Sequence, residues 1–310
     1  MSYTITEIKT KGNKMIPELN HLAFEAKLEP IYILREMERT PGDYKVLPAE
    51  ISTAIGQAVT TEQCGESYVL GLVGNKYKVV QNQELYEALC TALKAQFKGQ
   101  LDDTILVERS SGRGSFSKAE LSFPNIGADI RQLIGSKTHL RMKAGFVNTF
   151  DGSGKVRMYV GATDLWCMNG CVVSENTNFA RKHTNGFDIA QIAQWLDDAT
   201  YKFWRQVDLW QMWANKTIKP DDVEWLLNDV GLKGRRAKSM MEQIEHEFAN
   251  RGQTVWAFYS AFTHYASHND ERFTVRNSAN TDNQAVTLDA RNRDVARLTK
   301  RLEGMQMIAD

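Results

Sequence analysis

The chain has 310 residues, 42% of them hydrophobic and 25% charged, with 38 basic and 38 acidic side chains balancing to zero net charge. That composition allows a large core, argues against disorder and excludes a generic polyanion binder driven by net charge. No run approaches the roughly 18 apolar residues of a membrane span, and the polar, charge-alternating stretch 1–14 is not a signal peptide, so a cytoplasmic location, reduced thiols and no membrane partner are expected.

The charge is unevenly placed: residues 1–103 carry a net −3, residues 104–160 a net +5 and residues 161–310 a net −2. Residues 1–45 are mixed and charged; the stretch 24–39 has apolar spots but contains Pro30, and Pro41-Gly42 closes it, which predicts a peripheral arm with partial helix. A short helix is expected over 49–59. The strand-rich core, 46–185, then shows a buried-strand pattern over 68–73, a turn at Gly74-Asn75 and a second short strand over 76–80. Asn82 is placed to cap a helix with Glu84 and Glu87 in its first turns, Leu85, Leu89 and Leu93 on one side and Gly99 at its end. Strands over 104–109 and 115–123 flank Ser110-Ser111-Gly112-Arg113-Gly114, and strands over 138–150 and 155–162 flank Asp151-Gly152-Ser153-Gly154, which predicts an antiparallel meander.

After Gly186 the period changes to that of a helix, defining a helical region over 186–270. Ile189, Ile192, Leu196, Ala199, Phe203, Val207, Trp210 and Ala214 form one stripe, with Trp195, Trp204 and Trp213 along its edges. Helices are expected over 221–230, 236–250 and 254–268. The segment 271–310 opens as a polar loop and ends in a helix over 287–307, in which Leu288, Val295, Leu298, Leu302 and Met305 make a short seam interrupted by Arg291. The expected fold class is α+β, an antiparallel strand-rich N-terminal half with β-hairpins and one packed helix, followed by a helical C-terminal half.

Little in the sequence supports catalysis. Cys167 and Cys171 are spaced by three residues, where zinc ribbons and redox motifs want two, and no second pair completes a four-ligand set. His264 and His268 share a helix face, but Tyr265 stands where the metalloprotease pattern needs Glu. His183 has no evident orienting partner for a nucleophile such as Cys167 or Cys171. The pairs Asp197-Asp198 and Asp221-Asp222 point about 100° apart on a helix and make no metal clamp. The expectation is a protein with no catalytic residues, no metal and no cofactor, and not an enzyme. Gly112-Arg113-Gly114 reads equally as a phosphate-contacting loop and as a hairpin tip; it lacks the length and the Lys-Ser/Thr ending of a nucleotide loop.

The hairpin over 138–163 carries the sharpest signal. Leu140, Met142, Ala144 and Phe146 alternate with Arg141, Lys143, Gly145 and Val147, and Val156, Met158 and Val160 alternate with Lys155, Arg157 and Tyr159. A four-residue loop would pair Phe146 with Tyr159 and mix the faces, whereas a three-residue Gly152-Ser153-Gly154 loop pairs Asp151 with Lys155, Thr149 with Arg157 and Val147 with Tyr159. One face is then apolar and the other carries Arg141, Lys143, Lys155, Arg157 and Tyr159. Cations neutralise phosphates and a ring offers a stacking surface, so these residues, with Arg113, are the expected nucleic-acid contacts.

Several short blocks resemble a known family. Residues 68–87 (YVLGLVGNKYKVVQNQELYE) resemble the VLG-x-V-x-x-x-Y-x-x-VQN-x-E block of a phage- and plasmid-like protein family long described as a domain of unknown function. Residues 164–173 (DLWCMNGCVV) are similar to its R-x-VC-x-NG block, with Asp164 and Trp166 where the family has Arg and Val. Residues 181–184 (RKHT) resemble the basic-His-Thr step that follows, and residues 254–268 resemble the late W-x-x-x-N-A-x-T-x-x-x-x-H helix, with Ser260 at the usual Asn. The family's strand-helix pattern is distantly similar to that of ring-forming single-strand annealing proteins. The resemblance implies a phage- or plasmid-derived protein in the cytoplasm of a bacterial host. With the basic hairpin face and no catalytic motif, the expected function is binding of single-stranded DNA, with annealing in recombination, and so few phosphate contacts per chain point to a homo-oligomeric ring or filament. The alternative it leaves open is a host-takeover or anti-defence protein that acts by binding a host protein.

Overall fold

A computed structural model of the chain describes residues 4–9, 16–31, 56–131, 133–134, 138–164, 169–172, 179–267 and 284–306. Antiparallel strands fill its N-terminal half and helices its C-terminal half, so the fold is α+β as expected. The large sheet is seven-stranded and contains β1 (Thr4–Lys9), β5 (Ile105–Ser111), β6 (Phe116–Ile130), β7 (Thr138–Thr149), β8 (Val156–Asp164), β9 (Asn169–Val172) and β10 (Phe179–Arg181). They run in the order β1-β5-β6-β7-β8-β10, with β9 also paired to β8. A three-stranded sheet, β2 (Ala26–Ile31), β3 (Gly56–Gln63) and β4 (Glu66–Val73), stands in the order β2-β3-β4. Helix α1 (Asn82–Gln96) lies between the two sheets in sequence. Helices α2 (Gln191–Asn215), α3 (Pro220–Asp229), α4 (Arg235–Arg251), α5 (Val255–Ser267) and α6 (Gln284–Gln306) follow.

Alternation decides which face of the large sheet is buried. Leu140, Met142, Ala144 and Phe146 on β7 and Val156, Met158, Val160 and Ala162 on β8 are all fully buried. Helices α1, α2, α5 and α6 pack on this inner face. The stripe expected on α2 is what it buries, from Ile192 to Ala214. Trp210, Trp213 and Trp256 meet Tyr259 in one aromatic cluster of the shared core. The seam on α6 is also core: Val295, Leu298 and Leu302 are buried, and the interrupting Arg291 donates to the Tyr265 carbonyl at 3.0 Å while lying over its ring.

The N-terminal segment is integral where it is described, not peripheral. Strand β1 pairs with β5 and β2 with β3, and Leu22 is fully buried. Glu108, buried on the inner face, accepts the backbone N–H groups of Asn20 and His21 at 2.8 and 3.0 Å and so ties this segment to β5. The helix expected over 49–59 is corrected in its last residues, which lie in β3; residues 49–55 are outside the described set. The strand expected over 76–80 pairs with no other strand.

Gln81, not Asn82, caps α1, and the Glu84 carboxylate accepts its N–H at 3.4 Å. The Gln81 amide reaches across to both backbone groups of Ala26, holding β2. Asn82 turns into the core instead: it donates to the Leu22 carbonyl and Ser117 Oγ and accepts from Asn148 Nδ2 at 2.9 Å. This buried amide network fixes the start of α1 against β6 and β7.

The small sheet abuts the tips of the two hairpins. At Gly71 on β4 an added Cβ would lie 2.2 Å from Asp151 Cα, a backbone atom that cannot swing aside. Gly71→Ala is therefore expected to displace the 151–155 loop and to cost about 1–3 kcal/mol, the usual range for overpacking. Urea denaturation checks this, and an unchanged midpoint contradicts the close packing of β4 on the loop.

Candidate nucleic-acid interface

The register of the hairpin differs from the expected one. Val147 faces Arg157 and Gly145 faces Tyr159, an offset of two residues from the sequence-based pairing that keeps the faces intact. Phe150 accounts for the shift: it lies beyond the β7–β8 ladder, fully buried in the small sheet's cluster with Val59, Leu70 and Val73, while its N–H donates to the Ser115 carbonyl on the other side.

Strand pairing carries the outer face across the sheet in rows. One row reads Arg109 on β5, Lys118 on β6, Val147 on β7 and Arg157 on β8. The next reads Val107, Glu120, Gly145 and Tyr159, and beyond it Ser122 and Lys143 face each other, then Gly127 and Arg141. Two cations, Arg109 and Lys118, thus stand directly opposite on neighbouring strands, an arrangement that costs stability by itself. Glu120 offsets part of that cost. Its carboxylate lies 3.4 Å from both Lys118 Nζ and Lys143 Nζ and accepts the Tyr159 hydroxyl at 2.8 Å. Burial alone would raise its pKa, but Lys143, Lys118, Arg109 and the Tyr159 hydroxyl together hold it well below the usual carboxylate range. One half-buried carboxylate therefore faces three surrounding cations. Asp129, the other acid on this face of β5–β8, accepts from or pairs with His139 at 2.9 Å.

The six expected contact residues separate in this geometry. Arg113 and Lys155 are exposed, Arg141 and Arg157 half-buried, and Lys143 buried. Tyr159 is not an open stacking platform: its ring packs with Phe116 and Val147, Lys118 Nζ lies 5.0 Å from its centroid, and Gly145 opposite leaves the room it occupies. Arg113 sits at the β5–β6 tip with φ 57 and its guanidinium 3.7 Å above the Tyr68 ring of β4, while its carbonyl accepts Gln63 Nε2. The tip docks on the small sheet rather than forming a phosphate loop. Sequence reading missed Arg109, Lys118 and Glu120; the alternation of Ala119, Leu121 and Phe123 with Lys118, Glu120 and Ser122 was the available signal.

Beyond Lys155 the face runs into a cleft of about 570 Å³ between the β4–α1 connection, the β7–β8 loop and residues 182–184. His183 forms part of its wall, buried and stacked on Tyr77 with ring centroids 4.7 Å apart. Burial lowers the pKa of His183, which the Lys78 backbone and Asp151 oppose, and neither ring nitrogen makes a hydrogen bond of ordinary geometry. A depressed folded-state pKa means that the neutral ring's contribution is intact above the unfolded value of about 6.5 and is lost as pH falls through the folded value. Stability is thus expected to fall on acidification below about pH 6.5, and His183→Asn to flatten that limb of a pH series of urea midpoints. An unchanged limb contradicts the assignment to His183.

Cys167 and His268 lie outside the described residues, and so does the side chain of Cys171. Cys64 and Cys90 are free thiols, with burial pushing Cys90 up to about 12. Among the described residues no group of His, Cys, Asp or Glu could hold a metal, and no helix is long and apolar enough to cross a membrane. Tyr201, Trp204 and Trp225 are exposed, whereas Trp210, Trp213, Trp256 and Tyr259 are buried.

Residues 69–300 match a family model described as Domain of unknown function (DUF932). The chain matches no curated protein and no solved structure.

Proposed function

The chain belongs to the DUF932 family, and from the geometry of its large sheet we propose that it binds single-stranded DNA along the outer face of β5–β8. The observation that carries this reading is the crowding of Arg109, Lys118 and Lys143 around Glu120, flanked by Arg141 and Arg157. A run of cations at neighbouring sheet positions raises the local positive potential, and phosphates are the anions a long surface of this kind can take in series. Arg141, Lys155 and Arg157 are the phosphate contacts; Lys118, Lys143 and Tyr159 hold the face in place around Glu120.

The resemblance of the 68–87 and 164–173 blocks to phage and plasmid proteins directs the reading towards DNA metabolism, with strand annealing as the activity. Annealing requires a backbone held while bases stay free to pair, and no catalytic side chain. Few contacts give weak binding at physiological salt, with dissociation constants of roughly 10⁻⁴–10⁻⁶ M. Repeating the face in a homo-oligomer, ring or filament, supplies the missing affinity through avidity.

The test is anisotropy of labelled single- and double-stranded oligonucleotides, with light scattering of the same mixtures. The expected result is saturable binding of the single strand together with assemblies larger than one chain. A monomer that fails to bind either oligonucleotide overturns the reading and moves the function to binding a host protein.

A further inference from the structure

The cleft at the end of the sheet carries a second, more specific chemistry. Lys76, Lys155 and Lys182 border it against a single carboxylate, Asp151, and none of these lysines is ion-paired among the described residues. Asp151 is committed to the loop, accepting Ser153 N–H at 2.9 Å and Ser153 Oγ at 2.6 Å with one oxygen. Gly152 and Gly154 present no side chains there, so backbone comes to the cleft surface. His183 borders the cleft but is only 4% exposed, and its ring nitrogens lie beneath the cleft surface. The imidazole therefore supports the cleft floor rather than meeting a ligand directly. The Tyr77 ring holds it in place, anchored by its own hydroxyl on the Thr149 carbonyl at 2.8 Å.

We propose that this cleft binds a phosphate monoester dianion, either the terminal phosphate of a nucleic-acid strand or that of a free nucleotide. Three ammonium groups against one carboxylate leave a surplus of two positive charges, which matches a monoester carrying about −1.5 to −2 at pH 7. An internal phosphodiester carries one negative charge and leaves half of that surplus unmatched. The strand-end form rests on the sheet-face reading, and the nucleotide form does not.

The experiment uses the full chain and three labelled 12-mers of one sequence, ending in a 5′-phosphate, a 3′-phosphate or hydroxyls only. Thymidine 5′-monophosphate and thymidine are titrated separately by calorimetry. A strand-end site predicts that one phosphorylated 12-mer binds about tenfold tighter than the hydroxyl form, the worth of one charge-assisted hydrogen bond. Lys182→Ala, an exposed change, should erase that advantage and leave the hydroxyl 12-mer unchanged. A nucleotide site predicts saturable binding of thymidine 5′-monophosphate but not thymidine, lost in Lys182→Ala, even if no 12-mer binds and the sheet-face reading fails. Equal binding of all three 12-mers, with no saturable binding of thymidine 5′-monophosphate, overturns the proposal. So does a phosphate preference that survives Lys182→Ala.

Discussion

Arg251→Met is expected to cost about 3–5 kcal/mol of folding stability, the usual penalty for breaking a buried ion pair from one side. Arg251 is buried near the C-terminus of α4. Its Nη2 lies 2.9 Å from Asp164 Oδ2 on β8, and its Nε 2.7 Å from Glu247 Oε2 one turn earlier. Asp164 also accepts the Thr138 hydroxyl of β7. Removing the guanidinium takes a charged partner from two carboxylates of the interior, Asp164 and Glu247. For a chain of this size the loss corresponds to a fall in melting temperature of about 5–8 °C. The second variant, Arg251→Met with Asp164→Leu, should recover part of it, because a buried pair replaced by apolar groups is far less costly than a pair cut in half. Additive effects of the two substitutions would show that they do not act as a unit.

The second large effect concerns binding. Arg141→Glu with Arg157→Glu is expected to weaken single-strand binding about a hundredfold, two contacts each worth on the order of 1.4 kcal/mol. Both residues lie half-exposed on the outer face, on neighbouring strands, so melting should change little. Lys143→Gln is a different case. Its ammonium is buried beside Glu120, so its removal should lower stability as well as affinity. Anisotropy on the folded variants separates the two, and a double reversal that binds like the parent chain removes Arg141 and Arg157 from the interface.

The hairpins and helices were legible because their signal is local. Alternation along 138–149 and 156–164 fixed which residues face inwards, and the 3.6-residue stripe from Ile192 to Ala214 fixed the buried side of α2. Offset was not legible, since parity is the same for registers two residues apart; burial of Phe150 by a distant sheet decided it. Strands β1 and β2 were missed for the same reason, each being ordered by partners far along the chain. The basic face was half visible. Arg141, Lys143, Lys155 and Arg157 stood out in one hairpin, but Arg109 and Glu120 join them only through pairing across β5, β6 and β7. The cleft was invisible, because Tyr77, Asp151 and His183 come from three separated segments.

The salt dependence of single-strand affinity tests the central claim most directly. Each phosphate neutralised on a single strand contributes a slope of about −0.7 to log affinity against log salt, so contacts from Arg141, Lys155 and Arg157 predict about −2. In Arg141→Gln with Arg157→Gln the slope should shrink to about −0.7, equally for every sequence tested. A parent chain with no saturable binding, or a double variant whose slope matches the parent's, would contradict the assignment of the outer face of β5–β8 to DNA.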